Sequence, residues 1–289
     1  MSSHVPSRYL AAAAMLLIAA CGSVGPGASP SPPTAAIAAW ENFPANQVPR
    51  PIVLLGTYSP GQGFDSGDAK VAEMCGKVAP SISMPFGVPD QATATWADGA
   101  SLKSPAISAA EALAALKSLS DGSQSMCSTV APLSVTAVRF GVAGFQTDRG
   151  TVQMSAWLFK ATGARAELIS PAFPRSAFWG KGITARSGNG GATVSADGKS
   201  LTFFFTGSRE GTGPCEAMYR GVVAESKSAV AIAAEPIPDE QTGRGSACTL
   251  EGYRRSVTVT IGSPLGGRVV VDARGSVVPV CPEAARTGC

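Results

Sequence analysis

The chain has 289 residues, 45% of them hydrophobic, and 23 Lys and Arg against 20 Asp and Glu leave a formal charge of +3. That length allows one large domain or two modest ones with a sizeable core. The nearly neutral balance, with no long Lys/Arg run, argues against a nucleic-acid partner. The 33 Gly and 22 Pro make the chain turn-rich without giving it a disordered composition.

Residues 1–20 read as a signal peptide. Arg8 gives a weakly positive start, and the apolar run Leu10–Ala20 follows. That run is far short of the about 20 residues a membrane-spanning helix needs, and it fits the apolar region of an export signal. Leu17-Ile18-Ala19-Ala20-Cys21 resembles a lipobox, the processing site of bacterial lipoproteins, with Ile18 where Leu is more common. The resemblance implies diacylglycerol on the Cys21 thiol, cleavage before it, and a lipid anchor on the extracytoplasmic face of the cell membrane. Two acyl chains give stable attachment. Residues 21–45 are expected to be the lipidated Cys and a flexible tether, because Gly22–Ala36 is rich in Gly, Ser and Pro and has no apolar period.

Residues 46–130 read as a smaller α+β part. Ile52–Leu55 is a short apolar run between Pro51 and Gly56, hence a buried strand. Ala69–Val78 fits a short helix and Ala92–Trp96 a strand. Asp65 and Asp68 sit on a Gly-rich loop that could hold Ca²⁺, but a turn with Asp68 as helix cap is the simpler reading. Ser108-Ala109-Ala110-Glu111 is a capping-box pattern. Leu113, Leu116 and Leu119 then form an apolar stripe at helical spacing, which Asp121-Gly122 ends.

Residues 131–289 read as an antiparallel β domain. Strands are expected over Val135–Phe145 and Thr151–Phe159, around the turn Thr147-Asp148-Arg149-Gly150, with Asp148–Arg149 as a surface ion pair. Arg165–Ile169 follows, then two hairpins, Gly191–Ser195 with Leu201–Thr206 and Met218–Ala224 with Ala229–Ala234. Arg255–Ile261, Arg268–Val271 and Val277–Val280 complete the set. Short strands at this spacing predict a mainly β fold, an antiparallel sandwich or barrel-like sheets. Phe203-Phe204-Phe205 predicts a strand covered on both faces. The turn at 147–150, Trp157 and Pro264-Leu265-Gly266-Gly267-Arg268 resemble features of uncharacterised actinobacterial envelope lipoproteins over roughly half the chain. This implies a shared fold and export, and carries no activity.

Besides Cys21 there are six cysteines, Cys75, Cys127, Cys215, Cys248, Cys281 and Cys289. An even number in an exported chain predicts disulfides. Six cysteines allow 15 pairings. The expected pairs are Cys75–Cys127, Cys215–Cys248 and Cys281–Cys289. The one histidine, His4, lies in the signal peptide, which removes histidine triads, dyads and metal ligands. No catalytic residue, metal or cofactor is expected.

Carboxylates remain for chemistry, but no spacing singles out a pair. Phe178 and Trp179, beside Arg175, could form a ligand or partner patch, or could cap the end of the core. The expected function is non-enzymatic binding of an envelope protein or glycan by a protein held at the membrane through Cys21. The alternative is a carboxylate-based extracellular hydrolase acting on glycans.

Overall fold

Central strands of this chain are apolar on both faces, which forces layers onto both sides of them. The computed structural model describes residues 33–55, 63–85, 87–118, 125–180, 190–238, 248–249 and 251–282, within one unit that begins at Pro32. The lipobox with Cys21, the Asp121-Gly122 stop and Cys289 lie outside the described residues.

The first sheet contains β1 (Val78–Pro80), β2 (Ala92–Trp96), β3 (Ser101–Ser104), β4 (Leu133–Thr147), β5 (Gly150–Ala161) and β6 (Leu168–Pro171). Their order is β1-β4-β5-β2-β3, with β6 also on β5. Strands from both sides of residue 130 therefore share one sheet. β4 and β5 form the long hairpin expected around residues 147–150, in register down to Thr147 opposite Gly150. Gly150 closes the turn with φ 80°, a conformation other residues rarely adopt. Two helices pack with this sheet, α2 (Gly67–Met74) and α3 (Ala109–Ser118). At α3 the capping box forms: Ser108 Oγ accepts from Glu111 N at 3.2 Å and Ser108 N donates to the Glu111 carboxylate at 2.8 Å. At α2 the cap is Ser66, whose Oγ accepts from Ala69 N, so Asp68 is not the cap but stands in the first turn. There its negative charge suits the helix dipole. The helix also starts and ends earlier than expected, because Val78 is drawn into β1 by pairing with Leu133.

A second sheet, in order β12-β10-β9, is built from β9 (Tyr219–Glu225), β10 (Ala229–Pro236) and β12 (Val269–Val271). A third, in order β11-β8-β7-β13, holds β7 (Gly191–Val194), β8 (Ser200–Gly207), β11 (Tyr253–Thr260) and β13 (Val280–Pro282). Their inner faces meet in a sandwich core of Leu201, Phe203, Val230, Ile232, Val257, Val259 and Val270. The expected mainly β fold is thus present, as a sandwich beside a six-stranded sheet. The sheets are mixed: β1 with β4, β10 with β12 and β13 with β7 run parallel. Period-two alternation reports which face is buried and not strand direction, so the sequence could not show this. Within Val277–Val280, Val277 makes an isolated bridge to Val271 and Val280 opens β13. Phe203 and Phe205 stack on the core side, while Phe204 lies under the Arg254 guanidinium, so only one face of that strand meets another layer.

The outer face of the second sheet is also covered. Residues 34–45, expected within the tether, form α1 (Thr34–Ala38) and a turn that buries Ile37, Trp40 and Phe43 against Ala229, Ala231, Val269 and Val271. Those three side chains recur every third residue, an apolar stripe that outweighs the Pro-rich composition before it. The run Ile52–Leu55 is buried throughout, as expected. Ile52 and Leu54 point into the core of the six-stranded sheet, and Val53 and Leu55 into the core under α1. One extended segment thus belongs to two cores.

Cys75–Cys127 and Cys215–Cys248 are disulfides, with Cα atoms 5.6 and 5.4 Å apart, as expected. Cys281 is disulfide-bonded too. No helix among the described residues is long and apolar enough to cross a membrane.

Candidate functional site

The β4–β5 turn is inserted into the seam between the cores. Asp148 is 3% exposed and pairs with Arg50, whose side chain is 9% exposed. The guanidinium also donates from Nε to the Gly267 carbonyl at 2.6 Å and from a terminal nitrogen to the Pro51 carbonyl at 3.3 Å, and it stacks on Phe43. The Asp148 backbone donates to Val53 and accepts from Val280. Arg149 lies over the Trp96 ring at 4.1 Å, and its Nε is buried without a hydrogen-bond partner among the described residues. Burial first, and then repulsion from Arg50, hold the Arg149 guanidinium below its ordinary pKa, against the pull of Asp148 and Asp98. Contrary to expectation, Asp148 is therefore not paired with Arg149 on the surface but with Arg50 in a buried contact between distant segments. Arg50 gave no signal in the sequence, because its partners Asp148 and Gly267 lie 98 and 217 residues away.

The aromatic stretch flanks the same seam. Phe178 is half-buried, edge-on to buried Phe173, in the core of the six-stranded sheet. Trp179 is half-buried edge-on to Phe43, in the other core. Ile52 is held between them, donating from its N–H to the Ala177 carbonyl and accepting from Trp179 N. Arg175 alone of the three is exposed.

Beside this turn opens a notch of about 150 Å³, lined on three sides. Gln47, Arg50 and the prolines around it form one wall, Leu102-Lys103-Ser104 of β3 the second, and Pro174, Ser176 and Ala177 the third. Two cations and two hydroxyls line it, and no carboxylate among the described residues does.

A larger cleft of about 380 Å³ lies at one end of the sandwich, with the exposed disulfide Cys215–Cys248 in its wall. Arg209, Glu216, Glu251 and Tyr253 line it. Glu216 accepts from Gly213 N at 3.2 Å, and Glu251 accepts from the Tyr253 hydroxyl at 2.8 Å, which raises the Tyr253 pKa. Three carboxylates that do not line this cleft, Glu111, Asp197 and Glu225, are held below their ordinary range. Glu111 is lowered by the hydrogen bonds from Ser108, and Asp197 by those from Ser195 and Lys199. At Glu225 burial pulls upward, but hydrogen bonds from Gly262 and Arg268 outweigh it. A lowered carboxyl is the opposite of what a general acid needs. Asp65, considered for Ca²⁺, is paired with Arg165 at 3.1 Å, and no group of three acidic, Cys or His residues forms a metal cage among the described residues.

No family model matches the chain, and neither a curated protein nor a solved structure matches it.

Proposed function

We propose that this is a lipid-anchored protein of the cell envelope, held on the extracytoplasmic face through Cys21, which binds a partner or ligand without transforming it. The lipobox Leu17–Cys21 carries the anchoring. The six remaining cysteines support the address, since at least five are disulfide-bonded and structural disulfides persist outside the cytoplasm. The absence of histidine beyond His4 favours binding over catalysis. Intact-mass analysis of native material tests the anchor. A mature chain starting at Cys21 with diacylglyceryl mass is expected; a chain without acyl mass overturns it.

A second reading is a carboxylate-based hydrolase acting on glycans, favoured by one observation: Glu216 and Glu251 line the same cleft. It requires glycan hydrolysis that Glu216→Gln and Glu251→Gln each abolish while the disulfide stays intact. Equal turnover in those variants rejects it.

A further inference from the structure

We propose that the cleft at the end of the sandwich is a glycan site, which takes one or two rings of a neutral sugar chain; this rests on the binding reading above. Three observations carry it. The first is that the cleft wall is loop held in one conformation. Of residues 208–217, which join β8 to β9, only Ala217 is buried, so core packing does not fix them. Polar restraints do. Arg255 donates to the Ser208 carbonyl at 2.8 Å and to the Ala217 carbonyl at 3.2 Å, and the Tyr219 hydroxyl accepts from Ser208 N at 3.0 Å. Farther out, Cys215 is tied to Cys248, and Glu216 accepts from Gly213 N at 3.2 Å. Gly211 makes room for that carboxylate: a Cβ there would stand 1.9 Å from Glu216 Oε2. A plain connection between strands does not require so many restraints, whereas a pre-organised wall loses little entropy on binding.

The second observation is the choice of side chains. Tyr253 shares the inner face of β11 with Arg255 and Val257, but it stands where the core gives way to the cleft and is 39% exposed. A sugar ring lays its C–H face on such a ring, while carboxylate and guanidinium groups pair with neighbouring hydroxyls. Glu216, Glu251 and Arg209 supply those groups. The bond from the Tyr253 hydroxyl to Glu251 fixes ring and carboxylate relative to each other, and Arg209 is near enough to that hydroxyl to oppose the pull of Glu251 on it. The third is charge and size. Two carboxylates against one guanidinium leave the lining negative, which works against phosphate and uronate groups. A cleft of about 380 Å³ is the size of a small-ligand pocket, and its polar walls do not suit an acyl chain.

The test uses the full chain with Cys21→Ser, so that failure of the anchor leaves the result unaffected. Tetrasaccharides of glucose, of mannose and of N-acetylglucosamine, with one of galacturonate as the acidic probe, are titrated calorimetrically, and each mixture is then checked for cleavage by mass spectrometry. Saturable binding of at least one neutral probe, and none of galacturonate, is expected. Tyr253→Ala and Glu216→Gln should each weaken it about tenfold, since a stacking ring or a charge-assisted hydrogen bond is lost. Tyr253→Phe, which keeps the ring, should bind more tightly than Tyr253→Ala. Lys199→Gln, in the turn at the far end of β8, should leave binding unchanged. Cleavage of a probe that Tyr253→Ala no longer binds supports the site and overturns instead the reading that the ligand is not transformed. Equal binding in Tyr253→Ala, Glu216→Gln and Lys199→Gln, a preference for galacturonate, or no binding to any probe overturns the proposal.

Discussion

Asp148 shows how one side chain can hold together parts of the chain that lie far apart in sequence. Removing one member of a buried ion pair strands the other charge, at a cost of about 3–5 kcal/mol. Asp148→Ala should therefore lower the urea midpoint sharply. The double variant Arg50→Met/Asp148→Leu should recover much of the loss, because it leaves no buried charge. An equal loss in both would mean that the turn backbone, rather than the charge, matters. Acid should act through the carboxyls instead. Glu111, Asp197 and Glu225 have folded pKa values below their unfolded ones. The unfolded state then binds more protons near pH 4, so stability rises with pH there. Their contribution is complete above the unfolded values and is lost as pH falls through the lower, folded ones. Urea midpoints measured between pH 7 and pH 3 should fall at the acid end. Glu111→Gln should flatten that fall.

At the level of elements, local signals had local consequences. The Ser108–Glu111 box forms as the spacing predicts, and Ser108→Ala should cost about 1 kcal/mol. The hairpins β4–β5, β7–β8 and β9–β10 were legible because a turn residue and an apolar alternation on each side suffice to fix them. The parallel pairing of the edge strands was not legible, since β12 and β13 find their partners across long connections and carry no directional mark. Of the disulfides, Cys75–Cys127 spans 52 residues, and its loss should cost about 2–5 kcal/mol. Replacing both cysteines by Ala and measuring the thermal midpoint checks this. Cys215–Cys248 is exposed on both sides and should be reduced first by dithiothreitol, as mass-tagging of thiols would show. Earlier reduction of Cys75–Cys127 would mean that exposure does not set the order.

On the scale of the whole molecule, residues 52–55 couple the two cores through alternate side chains. Ile52 is fully buried and Val53 is 1% exposed. Ile52→Ala should cost about 2–5 kcal/mol. Because the segment is shared, Ile52→Ala and Val53→Ala should each lower one common unfolding transition, seen alike by tryptophan fluorescence and far-UV circular dichroism. Two separated transitions would mean that the cores unfold independently. Gly267 belongs to the same seam: a Cβ there would collide with the Ala45 carbonyl, which explains a glycine where φ is ordinary.

The candidate site was only partly legible. The stretch around Arg175, Phe178 and Trp179 does border the seam, yet its rings are spent largely on packing, and the notch beside it depends on Arg50 and Lys103, which the sequence did not single out. The sequence by itself determined what depends on neighbours: the hairpins, the capping box and a mainly β composition. Tertiary structure alone decided that Asp148 is buried, that residues 34–45 fold onto a sheet, and that three segments converge on a notch beside Arg50. The division has a physical cause. Turns, caps and periodicity are set within a few residues, whereas burial of a charge and the lining of a cavity are set by chain segments that meet only after the sheets have packed.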